Sequence, residues 1–361
     1  MTRDPAHLLP SAEPVQLIDV HGKAVERERV RMPEAVDLVR AYGALVLGRR
    51  FNEQAYALVR QGRLAVYPSS AGQEACQIAA AQVLDTGDWL FPTYRDAVAV
   101  VARGVDPVEA LALFRGDWHC GYDPYRHRVA PQATPLATQL LHAVGVAHAA
   151  RLRHEPTVVL ALCGDGATSE GDFAEALNFA AVFAAPVVFL VQNNEYAISV
   201  PLARQTAAPS LAHKGIGFGM PGERVDGNDA AALLAVLGSA VARARAGEGP
   251  QLVEAHTYRM QAHTNADDDG RYRSAAEVDA WVSRDPLTRL AAYLRAAGSL
   301  DDAAQVAFDT EAERVAAAVR ASTAPKPDAS LMFAHVFAEP TPQLREQAAL
   351  VRDELSREVD V

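Results

Sequence analysis

Asp165 stands between two glycines in Gly164-Asp165-Gly166, and a pair of amides, Asn193-Asn194, follows further along the chain. One carboxylate, one amide carbonyl and a nearby backbone carbonyl make an oxygen-only donor set. Such a set suits magnesium or calcium, with the remaining ligands supplied by a substrate's phosphates. The glycines let the backbone approach a diphosphate closely. Either motif alone has a plainer reading: the aspartate caps a turn and the asparagines satisfy loop backbone. Two other phosphate-binding patterns fail. Gly164, Gly166 and Gly171 miss the G-x-G-x-x-G spacing, and no GK[ST] follows.

The elements that must position these groups are legible around them. The apolar run 157–162 reads as a buried parallel strand, 173–184 as a helix capped by Ser169 with Asp172 three residues on, and 186–191 as the next strand. In a βαβ unit both strands run the same way. Asp165 and Asn194 therefore emerge at one carboxyl edge, where open α/β sheets bind ligands. Upstream, helical periodicity runs from Pro33, suited to a first helical position, to Leu58. An extended piece at 64–67 leads to a helix at 73–84. The stretch 116–133 is irregular and reads as a surface loop, and 136–153 as a helix. Downstream come an Ala-rich helix at 230–246 closed by Gly247, a strand at 251–256, and a polar loop at 261–274 expected to be mobile. After Trp281 the chain reads as mostly helical, with breaks near 324–328 and 340–342. The expected organisation is an N-terminal arm (1–30) lying on the body or on a partner, one α/β domain (31–325), and a helical C-terminal tail (326–361).

Half of the 361 residues are hydrophobic, enough for a sizeable core without disulfides. A formal net charge of −11 disfavours nucleic acid and anionic membrane as partners. Three cysteines, Cys76, Cys120 and Cys163, form no CxxC pair and suit a reducing cytoplasm. The N-terminus lacks signal-peptide character, and no apolar run approaches bilayer-spanning length. The expectation is a soluble, cytoplasmic protein.

GDG at 164–166 joined by a helix and a strand to NN at 193–194 is the thiamine-diphosphate motif. The surrounding GATSEGDFAEALNFAA and NNEYAIS resemble the alpha subunits of branched-chain 2-oxo acid and pyruvate dehydrogenases. GQEA at 72–75, FPTYRD at 91–96, TPLATQ at 134–139, RVDGND at 224–229, TYR at 257–259 and the AHTNADDDGRYRS loop extend the resemblance over nearly the whole chain. It implies a three-layer α/β sandwich with a mostly parallel central sheet, the thiamine-diphosphate-binding fold.

The resemblance also implies roles. Asp165, Asn194 and the backbone of Tyr196 would hold magnesium. Gly166 and Ala167 would lie against the diphosphate of thiamine diphosphate, and Tyr94 and Arg95 would contact its phosphates; a guanidinium fork suits phosphate oxygens. Thr134 matches a small hydroxyl residue near the cofactor. Leu136 matches the bulky apolar residue that holds the cofactor bent, its ordinary reading being core packing. His263 matches a loop histidine near the diphosphate and the acyl-bearing intermediate, with proton transfer near neutral pH as its chemistry; its plainer reading is an exposed loop residue. His119 and His127 could face the same pocket, whereas His142 sits in an apolar helical pattern and reads as packed. Two departures stand out. Glu195 replaces the glycine usual after NN and brings a negative charge near the metal, and Gln192 stands where some relatives have arginine. Thr264 and Ser274 occupy the positions phosphorylated in serine-regulated relatives, where phosphate would crowd the cofactor's own charge; the plainer reading is an unmodified loop.

The implied reaction is decarboxylation of a 2-oxo acid and transfer of the acyl group to a lipoyl-bearing acyltransferase. Branched-chain substrates such as 3-methyl-2-oxobutanoate are favoured over pyruvate. The glutamate that activates the cofactor belongs in the family to a separate beta subunit, so an alpha2-beta2 heterotetramer is expected and this chain alone should be inactive. A reading of another class is a non-catalytic diphosphate-binding assembly subunit.

Overall fold

A computed structural model describes residues 5–117, 119–322 and 330–358. Two compact units are distinguished, Met1–Arg320 and Ala321–Val361. The expected tail boundary and the break near 324–328 lie outside the described residues.

The first unit is built on five parallel strands: β1 (Trp89–Phe91), β2 (Val159–Gly164), β3 (Val187–Asn193), β4 (Gly222–Asp226) and β5 (Gln251–His256), in the order β1-β2-β3-β5-β4. Alternating side chains of β2 and β3 feed two cores. Val159, Ala161, Cys163, Val187, Phe189 and Val191 pack under α3 (Thr138–Leu152) and α4 (Gly171–Phe183). Leu160, Leu162, Val188 and Leu190 pack under α1 (Ala35–Arg60), α2 (Glu74–Gln82) and α5 (Ala230–Arg245). Helices on both faces of a buried parallel sheet make the expected three-layer sandwich. No described helix is long and apolar enough to cross a membrane.

Several local expectations need correction. The central strands continue to Gly164 and Asn193, because the ladder pairs Gly164 with Gln192 and Asn193 with His256 despite their polarity. Ser169 does not cap α4. Residues Asp165–Ser169 form a 3-10 turn closed by the Thr168 hydroxyl on the Asp165 carbonyl at 2.8 Å, which moves the cap to Glu170. Asp172 instead accepts from the Thr138 hydroxyl at 3.2 Å. Pro33 lies before the cap Glu34 rather than inside α1. His142 is exposed, not packed; the histidine of α3 that packs on an aromatic ring is the half-buried His148, stacked on Phe183 at 4.4 Å. The stretch 116–133 is more than a surface loop. Val129 is fully buried, and isolated bridges join Val129 to Leu90 and Ala133 to Thr93.

The N-terminal segment is stitched to the body at residues 15–18. The Val15 N–H donates to the Arg224 carbonyl at 2.8 Å, and the Leu17 and Ile18 N–H groups share one oxygen of Asp229 at 2.7 Å. In the second unit the described helices are Leu331–Ala334 and Pro342–Glu358.

Candidate active site

β2 and β3 deliver Asp165 and Asn194 to the same edge, where they line a cavity of about 210 Å³. Tyr94, Arg95, Leu136, Gly166, Ala167, Tyr196 and His263 line it too. Thr134 does not; it is exposed on the approach to α3. Leu136 is 43% exposed, so it serves as cavity wall and not as core. His119 and His127 are not among the lining residues.

Asp165 is buried, and burial pushes its carboxyl above the usual carboxylate range, partly offset by the Gln205 amide at 2.6 Å and by the backbone N–H of Asp165 and of Asn194. No cationic side chain forms an ion pair with it among the described residues. Gly166 has a structural reason to lack a side chain, since a Cβ there would come within 2.7 Å of Ala197 Cβ. Asn194 donates through Nδ2 to Gln73 at 3.0 Å, and its Oδ1 accepts from the Tyr196 N–H at 3.3 Å. The Tyr196 carbonyl accepts a long bond, 3.3 Å, from Arg259, and a carbonyl oxygen has a second lone pair to offer. Among the described residues no cluster of three or more His, Cys, Asp or Glu could hold a metal ion. With a single carboxylate, this oxygen set can hold a hard cation only with help from an anionic ligand's own oxygens.

The opposite charge comes from Arg95 and Arg259. Both are buried, and neither is paired with a carboxylate among the described residues. Arg95 donates to the Ser69 carbonyl at 3.2 Å and, at 3.0 Å each, to the His263 carbonyl and Nδ1. Arg259 donates to the Ile198 carbonyl at 2.7 Å, to the Tyr272 hydroxyl at 2.9 Å and to His263 Nδ1 at 3.4 Å. Asp267 and Asp96 act on these guanidiniums only from a distance, and two desolvated guanidiniums without a direct carboxylate partner make an anion-binding wall.

His263 is therefore not poised near neutrality, as its residue type suggests. Burial and the two guanidiniums push its pKa down to about 4. Because both arginines donate toward Nδ1, the neutral ring must carry its proton on Nε2. The loop bearing it is tied down: Asp267 accepts the His263 N–H at 2.8 Å, and Arg273 holds Asp269 and the Arg259 carbonyl. Tyr94 packs edge-on against the His263 ring at 6.2 Å. Thr264 is half-buried in this loop, and the Ser274 hydroxyl accepts the Glu277 N–H at 3.2 Å as the cap of helix Ala275–Val282.

Glu195, in the left-handed region at φ 73°, is turned away from the cavity. Its carboxylate meets His256 Nε2 at 2.6 Å. Sequence reasoning missed Gln73, Gln205 and Arg259. GQEA and TYR signalled two of them as motifs without a role, and Gln205 carried no local signal.

An open, parallel α/β domain with an anion-binding cavity at the carboxyl edge of its sheet is the class that fold and site define. Residues 42–330 match the sequence model of the family described as dehydrogenase E1 component. The 3-methyl-2-oxobutanoate dehydrogenase subunit alpha of Mycobacterium tuberculosis (strain H37Rv) is 46% identical over 361 residues, spanning 99% of this chain and 98% of its own length. The pyruvate dehydrogenase E1 component subunit alpha of Staphylococcus aureus (strain N315) is 36% identical over 350 residues, spanning 96% and 94%. The chain belongs to the dehydrogenase E1 component family.

Proposed function

We propose that this chain is the alpha subunit of a 2-oxo acid dehydrogenase and holds the diphosphate end of thiamine diphosphate. The observation that carries the reading is the meeting of Asp165, Asn194, Arg95 and His263 in one cavity. Asp165, the Asn194 amide oxygen and the Tyr196 carbonyl are the donors for a magnesium ion, completed by diphosphate oxygens. Arg95 and Tyr94 bind the phosphates, with Arg259 adding positive charge behind them. Gly166 and Ala167 leave room for close backbone approach, and Leu136 sets the cofactor's bend. When bound, the cofactor supplies the electron sink for loss of carbon dioxide. His263, neutral with its proton on Nε2, would offer a hydrogen-bond donor to the acyl-bearing side of the site. Transfer of the acyl group to a lipoyl-bearing acyltransferase and assembly with a beta subunit as an alpha2-beta2 heterotetramer belong to the same reading. So does a cytoplasmic location, which suits three free thiols.

A branched-chain substrate such as 3-methyl-2-oxobutanoate is the favoured one, supported by the greater identity to the mycobacterial subunit. Pyruvate is second. The alternative of another class, a diphosphate-binding assembly subunit without turnover, is less well supported because the candidate groups are intact. The test is co-expression with the beta subunit and measurement of carbon dioxide release from each acid, with cofactor and magnesium present. Faster release from 3-methyl-2-oxobutanoate is expected. Preference for pyruvate would reverse the substrate assignment, and no release from any 2-oxo acid would leave the assembly subunit standing.

A further inference from the structure

Three amide side chains and one carboxylate, from three elements, stand in one buried line behind the cavity. Asn194 Nδ2 donates to Gln73 Oε1 at 3.0 Å, Gln73 Nε2 to Gln192 Oε1 at 3.1 Å, and Gln192 Nε2 to Asp96 Oδ1 at 2.7 Å. Asn194 and Gln192 sit at the end of β3, Gln73 caps α2, and Asp96 precedes the helix Ala97–Ala102. All four side chains are at most 5% exposed. Water therefore cannot satisfy an amide facing the wrong way.

The direction of the line follows from its far end. Asp96 Oδ2 already takes the N–H and the hydroxyl of Thr93, each at 2.7 Å. Burial raises the Asp96 carboxyl above the usual range, while the Gln192 amide and the two Thr93 donors favour its charged form; in that form it has only acceptor sites. Gln192 must then present its NH2 to Asp96, which turns its oxygen to Gln73. Gln73 in turn presents its oxygen to Asn194. The Asn194 NH2 is thereby turned to Gln73, and its oxygen is the atom left toward Tyr196 and the cavity. Reversing any one amide would set two donors or two acceptors face to face in a buried place.

We propose that Asp96, Gln192 and Gln73 are positioning residues that determine which atom of Asn194 faces the metal. This rests on the reading that the Asn194 oxygen coordinates the magnesium of bound thiamine diphosphate. It also accounts for the glutamine that precedes the paired asparagines. With a donor at one end and an acceptor at the other, Gln192 carries the polarity of Asp96 across to Gln73.

The experiment uses the assembled enzyme and reads the magnesium concentration that half-saturates thiamine diphosphate binding, by calorimetry, beside kcat at saturating magnesium and Tm without ligands. Asp96→Asn changes almost no volume. Its oxygen is claimed by Thr93, so its NH2 faces Gln192 and the line reverses. The magnesium requirement is expected to rise about 10–100-fold, the usual effect of losing a partner behind a metal ligand, with kcat at saturation largely kept. The double variant Asp96→Asn with Gln192→Glu moves the carboxylate one step along, accepts from both neighbours, and is expected to restore the requirement to near the parent value. Gln192→Met, which cuts the line without adding charge, is expected to raise it as well. An unchanged requirement in Asp96→Asn and Gln192→Met, or a double variant no better than Asp96→Asn, overturns the proposal; so does a fall in Tm and kcat at unchanged requirement. Parent enzyme that binds the cofactor without any magnesium dependence would overturn the metal reading itself, an outcome separate from failure of the relay.

Discussion

Asp165 is a buried carboxylate on the cavity wall with no cationic partner among the described residues, which is a cost to the fold and, in the proposed function, an asset to a metal site. Its folded-state pKa is raised by burial. For an acid, a raised folded pKa means that stability falls as pH climbs from the unfolded pKa through the folded one, and the full penalty is present above it. Asp165→Asn removes that penalty at neutral pH. The ligand-free chain is expected to gain about 2–4 °C in Tm while the assembled enzyme loses magnesium-dependent cofactor binding. Differential scanning calorimetry together with a cofactor titration checks both halves; a lower Tm with binding retained would refute the assignment. At this scale the sequence was informative about residue type and less so about state. Asp165, Asn194, Arg95 and His263 were all legible from motif. That His263 is neutral was not, because two arginines distant from each other in the chain converge on its ring. The exposure of His142 and Leu136 was equally hidden, since an apolar pattern does not say which face a second chain or a ligand will cover.

Elements position these residues through a few close approaches. Gly72 opens the turn that carries Gln73. It has φ +92°, and a Cβ there would lie 1.9 Å from the Tyr258 carbonyl oxygen, next to the strand end that leads to Arg259. Neither the backbone conformation nor the contact tolerates a side chain. Gly72→Ala is expected to destabilise the chain by about 2–4 kcal/mol and to disturb two sides of the cavity together. Urea unfolding measures the first, and the midpoint should fall at unchanged slope; an unaltered midpoint would show that the turn relaxes freely. The apolar runs of β2 and β3 made the central βαβ unit readable, as did the long periodic helices. β1 and β4 were not readable. One is three residues long, and the other, Gly222–Asp226, is a polar strand at the sheet edge, followed outward by the isolated Val15 bridge. Short and polar strands gain their identity from neighbours, and periodicity within them is too brief to show it.

At the scale of the whole molecule the cavity is open on one side. Leu136 is 43% and Ile198 56% exposed on its wall, and Ile198 holds a left-handed backbone, φ 55°, that a β-branched residue rarely adopts. Arg259 fixes that conformation through the Ile198 carbonyl at 2.7 Å. Within the proposed function, an apolar wall held out in a strained conformation beside the anion-binding wall is the face that a beta subunit would cover. The groups on this chain can hold and orient a diphosphate, but within the proposed function they offer no glutamate assigned to cofactor activation. Turnover should therefore depend on stoichiometry. With saturating thiamine diphosphate and magnesium, this chain alone is expected to release no carbon dioxide above background from 3-methyl-2-oxobutanoate. Titration with the beta subunit should raise the rate linearly to a plateau at one beta chain per alpha chain. Carbon dioxide release by the isolated chain at a rate comparable to the plateau would mean that the cavity is complete without a partner, and the shared-site reading would fall.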